Sequence, residues 1–251
     1  MTKLGIVTQS LVPLRAEASS KSELVSQLLL GEVYEIIEEI PDWFKVQNQS
    51  DNYKGWINST QFSSLDCNEI PQVILSNFPF TILHLGESEN TIYAFPGSKL
   101  YRSGTDNYSL NGQTIHLDLS QIKPVKELTH FAKQFLNSPY LWGGKSFSGI
   151  DCSGFTQIIY SCVGIQLPRD AFQQAELGES IDFITAVKPG DLAYFANAEG
   201  KITHVGMILE GQKIIHASGK VRIDDLDSYG IFNKELGKHT HHLKLIKRLW
   251  S

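Results

Sequence analysis

Basic residues never gather into a block in this chain, and 22 Lys and Arg against 27 Asp and Glu leave a formal net charge of −5. The electrostatic footprint of a nucleic-acid binder is therefore missing, and no nucleic-acid partner is expected. Cysteine is scarce. Cys67, Cys152 and Cys162 are too few for a disulfide framework and too widely spaced for a Cys-x-x-Cys pair or a zinc ribbon, which favours a reducing compartment. No run of about 18 apolar residues occurs, and Met1 to Ser10 lacks the apolar centre of a secretory leader. The expectation is a protein with no membrane partner that, if Met1 is the native start, is made and kept in the cytoplasm. No Gly-rich loop leads from a strand into a helix in the manner of a phosphate cradle, so no cofactor is expected.

Apolar residues are plentiful: a hydrophobic fraction of 41% beside a charged fraction of 20% is enough to build a core. The 251 residues could form one large domain or two to three small ones, and the pattern along the chain decides. From Met1 to about Ser64, short β-rich runs (Val33 to Glu38, Trp43 to Gln47, Gly55 to Ile57) alternate with polar turns such as Asn48 to Asn52, which predicts a small barrel. Residues 65–123 are again turn-rich and strand-like, with strands predicted over Gly97 to Tyr101 and Gln113 to Leu119. A second, diverged barrel is expected there, the alternative being an elaborated linker. After Lys123-Pro124 the period changes: Val125, Leu128, Phe131, Ala132, Phe135 and Leu136 fall at helical spacing, and Asn137-Ser138-Pro139 stops the helix. A second helix from about Ser153 to Val163 and several strands follow, so residues 124–251 read as α+β.

The stretch most suggestive of chemistry runs from Tyr140 to Phe155. Cys152 immediately precedes a helix whose apolar residues Phe155, Ile158, Ile159 and Cys162 repeat at i, i+3, i+4 and i+7, with Gly164 placed to end it. A thiol at a helix N-terminus meets unpaired N–H groups and the positive dipole end, which would lower its pKa toward neutrality and supply donors for an oxyanion. Cys162 lies on the apolar stripe and reads as core; Cys67 has no evident partner.

A nucleophilic thiol needs a base. His204 and His216 lie on consecutive apolar runs that flank Glu210-Gly211-Gln212. If that triplet is an odd-length loop centred on Glu210, the two histidines face each other across an antiparallel pair with Cβ atoms about 5 Å apart, and His216 could hold the His204 imidazole. An even-length loop would shift the register. His239-Thr240-His241-His242 invites a metal reading, but no nearby cysteine or spaced carboxylate completes a tetrahedral set, so a solvated basic loop is expected and no metal.

Asp151-Cys152-Ser153-Gly154 opening a helix, then His204-Val205-Gly206 on a strand, then a polar residue, His216, on the next strand resembles the NlpC-type papain-like cell-wall peptidases. Val187-Lys188-Pro189-Gly190-Asp191-Leu192 is also similar to that family. Leu14 to Ser19, Gly31-Glu32 and Gly55-Trp56-Ile57 resemble bacterial SH3-like domains. The resemblance implies an α+β fold with a papain-like C-terminal catalytic domain preceded by one or two small SH3-like β-barrels. It assigns Cys152 as nucleophile, His204 as general base and acid, His216 as the residue that orients His204, and Tyr140 as a hydroxyl assisting the oxyanion hole. The pairing with SH3-like domains is similar to the γ-D-glutamyl-L-diamino-acid endopeptidases, which process free murein peptides. In that subgroup Asp151 and Ser153 would contact the γ-D-glutamyl portion, while Asp170, Glu17 and Tyr53 would bind a free N-terminal L-alanine amine. Murein peptide recycling is the role this implies. A muropeptide-binding module without catalysis, or an amidase or acyltransferase using the same Cys and His, are the competing readings.

Overall fold

The computed structural model describes residues 3–65, 71–86, 90–103, 107–117, 122 and 124–249, and Cys67 lies outside them. The chain divides into two compact units, the first built on residues 1–125 with 142–146 and 161–166, the second on 126–141, 147–160 and 167–251.

In the first unit, β1 (Leu4–Ile6), β2 (Leu11–Arg15), β3 (Leu24–Leu29), β4 (Val33–Ile40), β5 (Trp43–Asn48) and β6 (Lys54–Asn58) form an antiparallel sheet in the order β1-β4-β5-β6-β2-β3. Alternation along β2 and β5 sends Val12, Leu14 and Val46 inward, where they pack with Val7, Leu28, Tyr34 and Ile57. The β4–β5 turn is tight, Ile40 pairing with Trp43, and Asp42 takes the left-handed conformation that a short polar side chain tolerates (φ 65°). A second sheet follows from β7 (Pro71–Ile74), β8 (Thr81–Leu85), β9 (Thr91–Ala94), β10 (Lys99–Ser103), β11 (Asn107–Leu110) and β12 (Gln113–His116). Its order, β7-β10-β11-β12-β8-β9, repeats that of the first sheet strand for strand. Leu75, Leu83, Leu100, Tyr101 and Ile115 fill its core together with Ile6 and Leu30. Further along the chain, β13 (Lys145–Ser146) belongs to this unit, and its buried Lys145 pairs with the buried Glu32 at 3.5 Å.

The second unit begins with α1 (Leu128–Gln134), whose predicted stripe buries Phe131 and Ala132 and which Asn137 terminates in the left-handed conformation (φ 69°). After β14 (Gly149–Ile150) comes α2 (Cys152–Ser161), whose stripe buries Phe155, Ile158 and Ile159; Phe135 meets Phe155 edge-on at 5.8 Å. Gly164 ends that turn as expected, its N–H donating to the Ser161 carbonyl. Cys162, which belongs to the first unit, is half-buried rather than fully core, with its thiol against the Leu75 carbonyl of that same unit. A short α3 (Ala171–Gln174) precedes the sheet strands β15 (Glu179–Ser180), β16 (Leu192–Ala196), β17 (Ile202–Leu209), β18 (Lys213–Ser218), β19 (Lys220–Leu226), β20 (Gly230–Asn233) and β21 (Lys238–Arg248). Their order is β15-β21-β16-β17-β18-β19-β20, and β20 also pairs with β21, so the ladder closes on itself. Ala193, Phe195, Ile208, Ile214, Leu226, Ile231 and Ile246 share one core.

The closure corrects one expectation. His239-Thr240-His241-His242 is the first half of β21, paired with β20 on one side and reaching β16 at His242, not a solvated loop. Alternation within the strand separates His241 from its neighbours.

Candidate active site

Cys152 opens α2, and Asp151 caps that helix: its Oδ1 accepts the Gly154 N–H at 2.7 Å and its carbonyl accepts the Phe155 N–H at 2.9 Å. Arg169, 2% exposed, crosses the cap. Its two terminal nitrogens donate to the two Asp151 carboxylate oxygens at 3.0 and 2.5 Å, and Nη1 also donates to Ser153 Oγ at 2.9 Å. A planar fork matched to a carboxylate thus fixes the residues on both sides of the cysteine. Arg169 was not assigned a role from the sequence; an arginine in Leu-Pro-Arg-Asp reads as a surface turn until the fold carries it under the helix.

The Cys152 sulfur is buried and takes N–H contacts from Ser153 and Val205. Val205 follows His204, so the start of α2 and strand β17 meet at this sulfur. Burial, and after it the Asp151 carboxylate, pushes the thiol up to about 12, beyond what the Val205 N–H, Arg169 and the Ser153 N–H oppose. The helix-dipole expectation of a lowered thiol pKa is therefore reversed, because desolvation outweighs the partial charge of the helix end. The resting group is a thiol, and a nucleophilic role for it would call for a base that takes its proton.

The two expected histidines come together by a register different from the expected one. The β17–β18 ladder pairs Met207 with Ile215, Ile208 with Ile214 and Leu209 with Lys213, so the three-residue loop is centred on Gly211, not Glu210. In that register Gly206, not His204, stands opposite His216. Because the offset is two residues, both histidines keep the same face and meet on the diagonal, His204 Nε2 lying 2.8 Å from His216 Nδ1. Gly206 makes room: a Cβ there would come within 2.9 Å of His216 Cβ and 2.8 Å of Ile214 Cδ1.

His216 Nε2 lies 3.0 Å from Asp224 Oδ2 on β19, and Arg222 holds the same carboxylate through Nε at 2.7 Å and Nη2 at 2.9 Å. Burial would raise the Asp224 carboxyl, but the hydrogen bonds from His216 and Arg222 outweigh it and hold it down at about 2. An ionised acceptor fixes the protons along the line. Asp224 accepts from His216 Nε2–H; with its single ring proton there, His216 presents a lone pair at Nδ1; His204 donates to it from Nε2–H. The Nδ1 lone pair of His204 is then free to act as a base. Burial, then His216 and His241, lower the His204 pKa well below its usual value, so the imidazole is neutral. Asp224 did not stand out in the sequence, and His241 did so only as one member of the His239–His242 run. The His241 ring stacks on His204 with centroids 4.1 Å apart and planes 26° apart, and Phe195 flanks both rings.

The NlpC/P60 family model matches residues 137–240, the span that carries Cys152, Arg169, His204, His216 and Asp224 and stops one residue short of His241, and a bacterial dipeptidyl-peptidase SH3 domain model matches residues 14–62. An NlpC endopeptidase homolog of Haemophilus influenzae is 32% identical over 57% of this chain and 76% of its own. The chain belongs to the NlpC/P60 family. It is a cysteine peptidase with a papain-like catalytic domain and an N-terminal SH3 domain. A γ-D-glutamyl-L-lysine dipeptidyl-peptidase of Bacillus cereus is 29% identical over 87% of this chain and 75% of its own length, and the Bacillus subtilis protein of that name is 29% identical over 76% and 71%. The crystal structure of an NlpC/P60 family protein from Bacillus cereus shares the fold, with a TM-score of 0.83 over 98% of this chain and 99% of that one, at 23% identity.

The remaining expected residues of this NlpC/P60 chain fall in three places. Tyr140 is half-buried at the start of the Gly-Gly turn, its N–H on the Gly219 carbonyl, and its phenol is raised to about 12 by burial and then by the nearby Cys152 and Asp151. Asp170 is the N-cap of α3, closing a capping box with Gln173, so its place is accounted for by the helix it starts. Glu17 and Tyr53 belong to the first unit: Glu17 is exposed, its N–H on Ser22 Oγ, and the half-buried Tyr53 packs on the barrel core with its N–H on Asp51 Oδ1.

Proposed function

We propose that this peptidase hydrolyses the γ-D-glutamyl-L-diamino acid bond of murein peptides that carry a free N-terminal L-alanine, and that it does so in cytoplasmic murein peptide recycling. The observation that carries the proposal is the hydrogen-bonded line His204–His216–Asp224, starting one residue before the Val205 N–H that meets the sulfur of the helix-capped Cys152, on a chain that aligns over most of its length with γ-D-glutamyl-L-lysine dipeptidyl-peptidases.

In this reading His204 Nδ1 accepts the thiol proton as Cys152 Sγ attacks the γ-carbonyl carbon. The Cys152 backbone N–H and the Tyr140 hydroxyl steady the oxyanion. His204 then returns the proton to the leaving amine, and a water deprotonated by the same nitrogen releases the dipeptide acid from the thioester. His216 and Asp224 keep the His204 proton on Nε2 throughout. Ser153 and Asp151 shape the γ-D-glutamyl subsite, with Arg169 as their support. Asp170, Glu17 and Tyr53 are the proposed amine contacts, and the cost of burying an unpaired ammonium or carboxylate makes a free amine a strict requirement.

Mass spectrometry of products from L-Ala-γ-D-Glu-L-Lys, its meso-diaminopimelate counterpart and their N-acetylated forms tests the reading. Cleavage between the second and third residues of the free-amine peptides alone is expected; equal turnover of the acetylated peptides would remove the amine requirement.

A further inference from the structure

His241 has no task in the reaction above, yet it completes a cluster. One ring nitrogen each from His204, His216 and His241 lie within 4.8 Å of one another, His204 and His216 buried and His241 half-buried. The sequence offered no such set because its members come from three strands, β17, β18 and β21, and only one of them belongs to the His239–His242 run.

Two of the three rings are already oriented as metal ligands are. A metal-binding imidazole characteristically donates its other N–H to a carboxylate, carbonyl or hydroxyl. His216 does so from Nε2 to Asp224 at 3.0 Å, leaving Nδ1 as the donor atom. His241 does so from Nδ1 to Thr240 Oγ1 at 2.9 Å, the hydroxyl in turn pointing at the Ile231 carbonyl at 3.5 Å, which leaves Nε2. Three imidazoles with no carboxylate in the set exclude Mg2+ and Ca2+ and suit Zn2+ or Co2+, with water as a fourth ligand. Two nitrogens on one tetrahedral Zn2+ stand about 3.3 Å apart at Zn–N distances of about 2.0 Å. The present His204–His216 contact of 2.8 Å would open by about half an ångström, and the more distant nitrogen would be drawn in.

We infer that His204, His216 and His241 form an inhibitory site for a divalent ion of the Zn2+ class, resting on the assignment of His204 as the catalytic base. Coordination through His204 Nε2 displaces the proton that this atom donates to His216. In the neutral ring that proton moves to Nδ1, the nitrogen that must accept the Cys152 proton. The ion therefore switches the peptidase off by exchanging the tautomer of its base, without touching the sulfur.

The test uses the full chain, freed of metal and kept reduced with a phosphine. Activity on L-Ala-γ-D-Glu-L-Lys is followed against free Zn2+ in wild type, His241→Phe and His241→Gln, each referred to its own metal-free rate. Co2+ absorption is recorded in parallel on wild type and Cys152→Ala. Wild type should be inhibited reversibly by Zn2+, and both His241 variants should need at least about tenfold more, the lower end for losing even an outer-shell partner. Cys152→Ala should bind Co2+ with wild-type affinity and tetrahedral d–d bands. Unchanged Zn2+ sensitivity in the His241 variants, or loss of Co2+ binding in Cys152→Ala, would overturn the site. A metal-free protein with no hydrolysis would instead refute the peptidase assignment, and the Co2+ titration would still decide whether the site exists.

Discussion

Replacing Asp224 by Asn removes one charge and almost no volume, yet it disturbs the proton order of the whole line. The carboxylate accepts three hydrogen bonds, one from His216 at 3.0 Å and two from Arg222 at 2.7 and 2.9 Å. An amide offers one oxygen and one N–H2 group. With the oxygen toward His216 and Arg222 Nε, the amide nitrogen faces Arg222 Nη2, donor against donor. With the amide reversed, it donates to His216 Nε2, moves the His216 proton to Nδ1 and forces His204 to carry its own proton on Nδ1, where it blocks the base. Losing a hydrogen bond to a charged group costs about 1.5–3 kcal/mol, which at 1.36 kcal/mol per decade is a fall of about 10- to 150-fold in kcat. KM should change little, since Asp224 reaches the substrate only through two imidazoles. Steady-state kinetics give the split, and nitrogen-15 shifts of the His204 ring report which nitrogen carries the proton. Arg222→Met combined with Asp224→Asn frees the amide to keep its oxygen on His216 and should recover part of the loss. A folded Asp224→Asn enzyme with wild-type kcat and an unchanged His204 tautomer would refute the reasoning.

Gly206→Ala should lower kcat and stability together, by about 1–3 kcal/mol for the latter in urea denaturation, because its Cβ would meet His216 Cβ at 2.9 Å. Arg169→Met takes away the charged partner of the buried Asp151 carboxylate and should cost about 3–5 kcal/mol by the same assay. Burial and the neighbouring His216 lower His241 to about 4, and burial with the adjacent rings also lowers His204. Folded-state values below the usual 6.5 mean stability that is whole above that pH and is lost as the pH falls below it, about 1 kcal/mol from His241 between pH 7 and 5 after allowance for its partial exposure, with His204 adding in the same direction. Denaturation in EDTA at the two pH values should show that loss, and His241→Phe should lose less. The raised Cys152 thiol should alkylate with iodoacetamide at pH 7 no faster than Cys162, followed by peptide mapping; a much faster Cys152 would mean a preformed thiolate.

The helix that Cys152 opens was legible because its signals are local or periodic. Asp151 to Gly154 marks a capped helix start, and the Phe155, Ile158, Ile159 stripe gives that helix its direction; both are found in α2. The His204 and His216 pairing was legible as a shared face but not as a register, since the loop centre depends on which of Glu210, Gly211 and Gln212 turns the chain. Gly211 and Gln212 take positive φ, which settles it (70° and 56°). The partners of Arg169, Asp224 and His241 were illegible for one reason: the fold, not the sequence, brings them near. The weak repeat between the first two sheets has the same origin. Their strand orders coincide, but alternation constrains only polarity, so the same order is built from different apolar side chains and the sequences show little of it.

Acid-quenched intact-protein mass spectrometry during turnover of L-Ala-γ-D-Glu-L-Lys addresses the central claim most directly. An adduct of the L-Ala-γ-D-Glu acyl group should map to Cys152, accumulate when deacylation is slowed, and vanish with activity in Cys152→Ala. Turnover that survives in Cys152→Ala, or an acyl group on any other residue, would contradict a thiol line built on His204, His216 and Asp224.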